Sequence, residues 1–336
     1  MKPIALMKPE WVGAMDLQVH ADGKVQPWRL PLELLDFLDP RSRFQAGNPS
    51  GVRIRFTSTT RCVVLEVEAV PELKRWFDLL VDYKLAGRVE LAPGQTEIVF
   101  DHLPEGEKVL EIWLNHMYSP VVVSALKIDD DASLEKAPPT DKKRILFHGS
   151  SISHGRQAAG PTESWTVGAG RLAGLDPINL GLGGGCILQP SVARVIRDLS
   201  ADYLSFCFGA NVVMGYTHNE RSFRTDVAGF IQIVREGHPE TPLAIQGPIF
   251  CRSFEEFEDK KKFSLVQCRK ALMEVVECFQ KHGDRKIFYG GDLEHFGPDD
   301  ESLFIDGVHP NAEGHRLMSR RYADLVWPRL KALAEN

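Results

Sequence analysis

The sequence lacks a cationic excess, a long apolar run and a cysteine framework, and each absence excludes a class of function. Forty basic residues stand against 46 acidic ones, a formal net charge of −6. That balance excludes a global cationic footprint for nucleic acid or acidic membranes. No apolar stretch approaches about 18 residues, so no membrane-crossing helix is expected. Asp16, His20 and Asp22 interrupt the N-terminus before a basic-then-apolar leader could form, and no signal peptide is expected. Six cysteines in 336 residues are too few for a disulfide scaffold, and no two are spaced Cys-x-x-Cys. Neither a zinc ribbon nor a thioredoxin-type site follows. Free thiols fit a reducing compartment, which makes a cytoplasmic location the expectation. Asp129-Asp130-Asp131 lacks the glycine and later ligands of a calcium loop, so no metal is expected. Internal repeats are absent too.

What is present divides in two. Up to about residue 130 the pattern is short strands, such as Val52–Phe56, Val63–Val67, Glu97–Phe100 and Leu110–Leu114, with turn punctuation such as Pro93-Gly94 and Pro104-Glu105-Gly106. Regular short strands of this kind predict a β-sandwich, jelly-roll-like, over residues 1–130. Residues 31–38 read as a short helix or turn. Trp28, Trp76 and Trp113 are candidate sugar platforms, with burial the competing reading for Trp113. The stretch around Pro138-Pro139 has no hydrophobic period, and residues 131–142 are read as a linker. From 143 to 336 strands alternate with amphipathic helices, ending in one helix from Asn311 to about Ala334. That alternation predicts an α/β domain with a parallel sheet covered on both faces.

Chemistry in such a sheet belongs at the carboxyl ends of its strands, and four blocks fall there. Phe147-His148-Gly149-Ser150-Ser151-Ile152-Ser153-His154-Gly155 offers a serine after a tight turn. Asn179-Leu180-Gly181-Leu182-Gly183-Gly184-Gly185-Cys186 offers backbone N–H groups to an anion, but it matches neither the Walker A pattern nor, from Gly181, the dinucleotide fingerprint. Phe208-Gly209-Ala210-Asn211 offers a neutral amide donor. Asp306-Gly307-Val308-His309-Pro310-Asn311 can fold a carboxylate back onto an imidazole. Each alone has an ordinary reading as a loop, a turn or a helix cap. Together they supply a nucleophile, a base, an orienter and oxyanion donors, the full set for serine acyl transfer.

In that order and spacing, the blocks resemble the SGNH/GDSL hydrolase superfamily, with Ser151, Gly184, Asn211 and the Asp306/His309 pair at the matching positions. The resemblance implies a flavodoxin-like α/β/α fold and ester hydrolysis. The catalytic residues would be Ser151, His309 and Asp306, and the oxyanion hole the N–H groups of Ser151 and Gly184 with the Asn211 amide. No cofactor is implied. A preceding sandwich further resembles two-domain carbohydrate esterases, so the expected substrate is a small-molecule or oligosaccharide ester, acetyl above all. The alternatives are a lipase or thioesterase of the same superfamily, or a non-catalytic carbohydrate-binding protein. Two positions depart from the family: Ser150 stands where Asp is usual, and Val212 where Asp often follows Asn211. Ile152 and Gly155 align Ser151, rather than Ser150, as nucleophile. His148, His154 and Trp165 are candidate pocket residues, with local hydrogen bonding the stronger competing reading for the histidines and core packing for the tryptophan. No nucleic-acid or membrane partner is expected, and a homo-oligomer is left open.

Overall fold

The computed structural model describes residues 1–259 and 262–335. Their contacts divide them into two units. The first holds residues 1–35, 43–141 and 160–162, and the second holds 36–42, 142–159 and 163 onward.

Among the described residues, the first unit is built on strands β1 (Lys2–Ile4), β2 (Glu10–Val12), β3 (Asp16–Val19), β4 (Val25–Trp28), β5 (Arg53–Ser58), β6 (Val63–Val67), β7 (Arg75–Val81), β8 (Lys84–Leu91), β9 (Glu97–Phe100), β10 (Lys108–Trp113), β11 (Val123–Ile128) and β12 (Leu134–Glu135). They form two six-stranded antiparallel sheets, one ordered β3-β4-β11-β6-β9 with β1 on β11, the other β12-β5-β10-β7-β8 with β2 on β5. Period-two alternation explains the packing. Ile54 and Phe56 of β5, Leu65 of β6 and Ile112 of β10 point into one shared core. On the opposite face of β5 and β10, the Arg53 guanidinium lies 4.4 Å from the Trp113 ring centroid, and its Nε is 3.4 Å from Glu111 Oε1. Trp113 is therefore buried against a cation, not displayed as a sugar platform. Residues 134–135, read from sequence as linker, pair with β5. Residues 31–38 contain the 3₁₀ turn Leu32–Phe37, and helix α1 (Pro40–Ala46) follows.

The second unit has a parallel sheet, β14-β13-β15-β16-β17, of β13 (Arg144–Gly149), β14 (Asp176–Gly181), β15 (Tyr203–Cys207), β16 (Leu243–Gln246) and β17 (Ile287–Tyr289). Helices α2 (Ser151–His154), α3 (Trp165–Leu172), α4 (Pro190–Asp198), α5 (Ala210–Met214), α6 (Glu220–Gly237), α7 (Arg252–Glu255) and α8 (Leu265–Lys281) alternate with the strands. Capping boxes set the starts of the two long helices, Asn219 with Ser222 and Ser264 with Gln267. The closing helix is not uniform. It runs as α9 (Ala312–Arg321), a π turn over Tyr322–Val326, and α10 (Trp327–Glu335). Pro328 has no N–H for the Asp324 carbonyl, and its ring would crowd that carbonyl. The turn widens instead, and the Trp327 N–H bonds the carbonyl of Tyr322.

Candidate active site

β13 delivers the first block to the carboxyl edge of the sheet. Gly149 ends the strand where nothing larger fits: a Cβ there would lie 2.3 Å from Ser153 Oγ and 3.1 Å from the Cys207 carbonyl oxygen. Ser150 then caps a one-turn helix, its hydroxyl accepting the Ile152 N–H at 3.3 Å. The role explains how serine substitutes for the usual acidic residue, since both are good N-caps. Gly155 closes the turn at φ +101°.

Ser151 starts that helix, nearly buried, with Oγ 2.9 Å from His309 Nε2. On the other side of the ring, Nδ1–H donates to Asp306 Oδ2 at 2.8 Å. With the proton fixed on Nδ1, Nε2 is left as the acceptor for the serine hydroxyl. Asp306 Oδ1 also accepts the backbone N–H groups of His309 at 2.8 Å and Val308 at 3.1 Å. Burial works against the Asp306 carboxylate, but these donors outweigh it and hold the group below the usual carboxylate range. His309 is also pushed below its ordinary value. Burial does most of this, Arg156 adds to it, and Asp306 pulls the other way.

The loop carrying both residues is closed by backbone bonds from Ile305 N to the His309 carbonyl, 3.0 Å, and from Asn311 N to the Leu303 carbonyl, 2.7 Å. Gly307 takes φ +77° at its tip. The Cys251 thiol supports the loop from below, donating to the Gly307 carbonyl at 3.1 Å. Burial pushes that thiol up to about 11, so it stays protonated. Asn311 caps α9 through the Gly314 N–H, so capping and placing the histidine are one piece of local structure.

The glycine-rich loop follows β14. Asn179 ties it to the nucleophile turn, accepting the Gly181 N–H at 2.8 Å and donating to the Ser153 carbonyl at 2.9 Å. A Cβ on Gly181 would meet His154 N at 2.4 Å. Gly184 sits at φ +71°. The Cys186 N–H donates to Asn211 Oδ1 at 3.1 Å. That bond assigns the amide oxygen and leaves Nδ2 as the donor end. Gly209, at φ +110°, places Asn211 at the start of α5.

The candidate pocket residues His148, His154 and Trp165 are all interior. His148 Nδ1–H donates to the Leu180 carbonyl at 2.8 Å, and the ring stacks on Phe230 with centroids 5.6 Å apart. The Cys186 thiol, kept protonated by burial, faces His148 Nε2 at 3.5 Å. His154 Nδ1–H donates to the Gly181 carbonyl at 3.1 Å. Trp165 packs among Phe147, His295 and Tyr322 in the core. These groups brace the loops without lining the site. Arg156, one residue past Gly155, escaped the sequence reading, as did the Asp39–Ser42 segment, which packs on the glycine-rich loop.

Among the described residues, no group of three or more His, Cys, Asp or Glu side chains is placed to hold a metal ion. Nor is any helix there long and apolar enough to cross a membrane.

Residues 142–331 match the GDSL-like lipase/acylhydrolase family. The chain belongs to that family. Residues 10–123 match the SsfX3 N-terminal domain, so both parts of the chain have counterparts. The salicylyl-acyltransferase SsfX3 from a tetracycline biosynthetic pathway is 30% identical, with 98% of this chain and 97% of that one covered and a TM-score of 0.90. A protein described as a GDSL-like lipase from Bacteroides ovatus is 21% identical, with 98% of each chain covered and a TM-score of 0.80. A family two carbohydrate esterase from Clostridium thermocellum, an active-site mutant, is 17% identical with a TM-score of 0.64, covering 84% of this chain and 93% of its own. These last two likenesses bear on the fold. No curated protein matches the chain. As a member of this family, the chain is an SGNH-type esterase.

Proposed function

We propose that the chain cleaves small acyl esters, acetyl esters of a carbohydrate first among them, through an acyl-enzyme on Ser151. The observation that carries this reading is the hydrogen-bonded line from Ser151 Oγ through His309 to Asp306, 2.9 and 2.8 Å long. In the first step the Ser151 oxygen bonds the ester carbonyl carbon, and His309 Nε2 takes the hydroxyl proton. The tetrahedral oxyanion receives hydrogen bonds from the N–H groups of Ser151 and Gly184 and from Asn211 Nδ2. As the intermediate collapses, the bond to the leaving alcohol breaks and His309 returns the proton to it. Water, deprotonated by the same imidazole, then releases the acid. Asp306 keeps its charge throughout and orients the ring.

A second reading is favoured by the likeness to an acyltransferase along almost the whole chain. Here an alcohol rather than water resolves the acyl-enzyme, with identical first-step chemistry.

The experiment follows p-nitrophenyl acetate and longer homologues with the unmodified protein and Ser151→Ala, and then acetylated sugars. Turnover that disappears in Ser151→Ala, with a one-acyl mass gain on Ser151 at short times, supports the reading. Adding an alcohol separates hydrolysis from transfer by the share of ester product. Equal turnover in the two proteins would refute Ser151 as nucleophile.

A further inference from the structure

The candidate oxyanion loop carries a cation that the acyl-transfer chemistry does not account for. Residues 36–42 belong to the same unit as that loop. Asp39 Oδ1 accepts the backbone N–H groups of Arg41 at 3.0 Å and Ser42 at 3.1 Å, and its Oδ2 accepts the Ser42 hydroxyl at 2.5 Å. Gln189 Nε2 donates to Ser42 Oγ at 2.9 Å and to the Gly185 carbonyl at 2.8 Å. Pro40, at the first position of α1, suits a turn capped by Asp39. The segment is thereby fastened to the loop on its backbone.

The Arg41 side chain continues from this anchor along Gly184. A Cβ built on Gly184 would lie 2.6 Å from Arg41 Nε and 2.8 Å from Cζ. Bare backbone at 184 thus serves two ends, the left-handed φ and the seat of the guanidinium. Arg41 itself is exposed. Among the described residues no carboxylate forms an ion pair with it. Asp39, its neighbour, is engaged with backbone and hydroxyl donors that hold it below the usual carboxylate range against the effect of burial.

A planar, permanently charged fork is suited to receive a carboxylate in a bidentate pair. Its position adds an electrostatic reason. A substrate carboxylate near the scissile carbonyl would repel the developing oxyanion, so a site without a cation there discriminates against such esters. A cation seated on Gly184 reverses that sign. We propose that Arg41 is a specificity residue that selects esters carrying a carboxylate close to the scissile carbonyl. The proposal rests on the esterase reading above and names the substrate class for it.

Matched ester pairs test the proposal. p-Nitrophenyl succinate against p-nitrophenyl butyrate places the charge in the acyl part. Meta-acetoxybenzoate against phenyl acetate places it in the alcohol. The readout is the ratio of kcat/KM, charged over neutral, for the unmodified protein, Arg41→Gln and Arg41→Lys. Arg41→Gln is expected to lower the ratio about tenfold, equivalent to about 1.4 kcal/mol, for the pair whose charge faces the guanidinium. Arg41→Lys should restore part of it, and added salt should shrink the difference. Whichever pair responds identifies the side of the ester that is read. Ratios unchanged by Arg41→Gln in both pairs would overturn the proposal while leaving the esterase reading in place. Neutral and charged esters alike turned over no faster than by Ser151→Ala would instead remove the esterase reading, and this proposal with it.

Discussion

Asp306→Asn exposes the role of the carboxylate most sharply. Asp306 accepts three hydrogen bonds, two from backbone N–H groups through Oδ1 and one from the imidazole through Oδ2. An asparagine that keeps the two backbone bonds must turn its NH₂ toward His309 Nδ1. The ring then accepts at Nδ1 and carries its proton on Nε2, the wrong tautomer for receiving the Ser151 proton. In a dry site this exchange costs about 10⁴-fold in rate. The Asp306 side chain is 41% exposed, so solvent takes over part of the ordering. We expect about 10³-fold in kcat, about 4 kcal/mol of transition-state stabilisation. Asp306→Ala makes the comparison informative. It loses both backbone acceptor contacts and loosens the loop, yet it does not impose the wrong tautomer. Asparagine should therefore give the lower kcat and alanine the lower Tm. Steady-state turnover of p-nitrophenyl acetate beside thermal melts measures both. If Asp306→Asn kept a tenth or more of the activity, the assigned ring orientation would be wrong.

Three further outcomes follow from the same geometry. Asn211→Ala should lower kcat about 10²- to 10³-fold with only a modest fall in melting temperature from the lost Cys186 N–H bond, measured in the same two assays; near-full activity would take the amide out of the oxyanion hole. Because His309 must be neutral to accept a proton and its pKa lies below the ordinary histidine value, kcat/KM should rise with pH through a midpoint below about 6.5 and hold a plateau above it; a pH–rate profile with a midpoint above 7 would contradict the burial argument. Ser150→Ala should cost about 1 kcal/mol of stability through the lost cap and keep most of the turnover, in contrast to Ser151→Ala, a pair that also decides which hydroxyl attacks.

The nucleophile turn, the asparagine and the Asp-x-x-His loop were legible because each depends on residues close in sequence with strict local demands. Gly149, Ser150 and Gly155 define one turn, and Asp306 to Asn311 define another. The alternation of strand and helix was legible for the same reason, through period and caps. For the residues beside the nucleophile, sequence leaves pocket and interior both open. His148 and His154 flank Ser151 in sequence, but strand alternation turns His148 away from the edge toward Phe230, and the first helical turn sends His154 back under Gly181. Trp113 is open to two readings in the same way, because strand alternation says nothing of the arginine that covers it. Arg41 could not be found from sequence at all: nothing near it hints at Gly184.

The interleaving of the two units bears on the order in which the chain can fold. Residues 36–42 belong with the second unit and 160–162 with the first. Thr162 donates its N–H and its hydroxyl to Asp78, at 3.0 and 2.6 Å, beside Arg88. During synthesis, Ser42 must wait for Gln189, 147 residues later, and Asp78 for Thr162, 84 residues later. The first unit is incomplete when its main stretch of chain has left the ribosome, the second needs a segment made long before its own main stretch, and contacts this distant slow the search for the native state. A fragment begun at residue 142 would lack the segment that covers Gly184 and Gly185. The boundary between two sequence families is, in this chain, not a place where it can be cut.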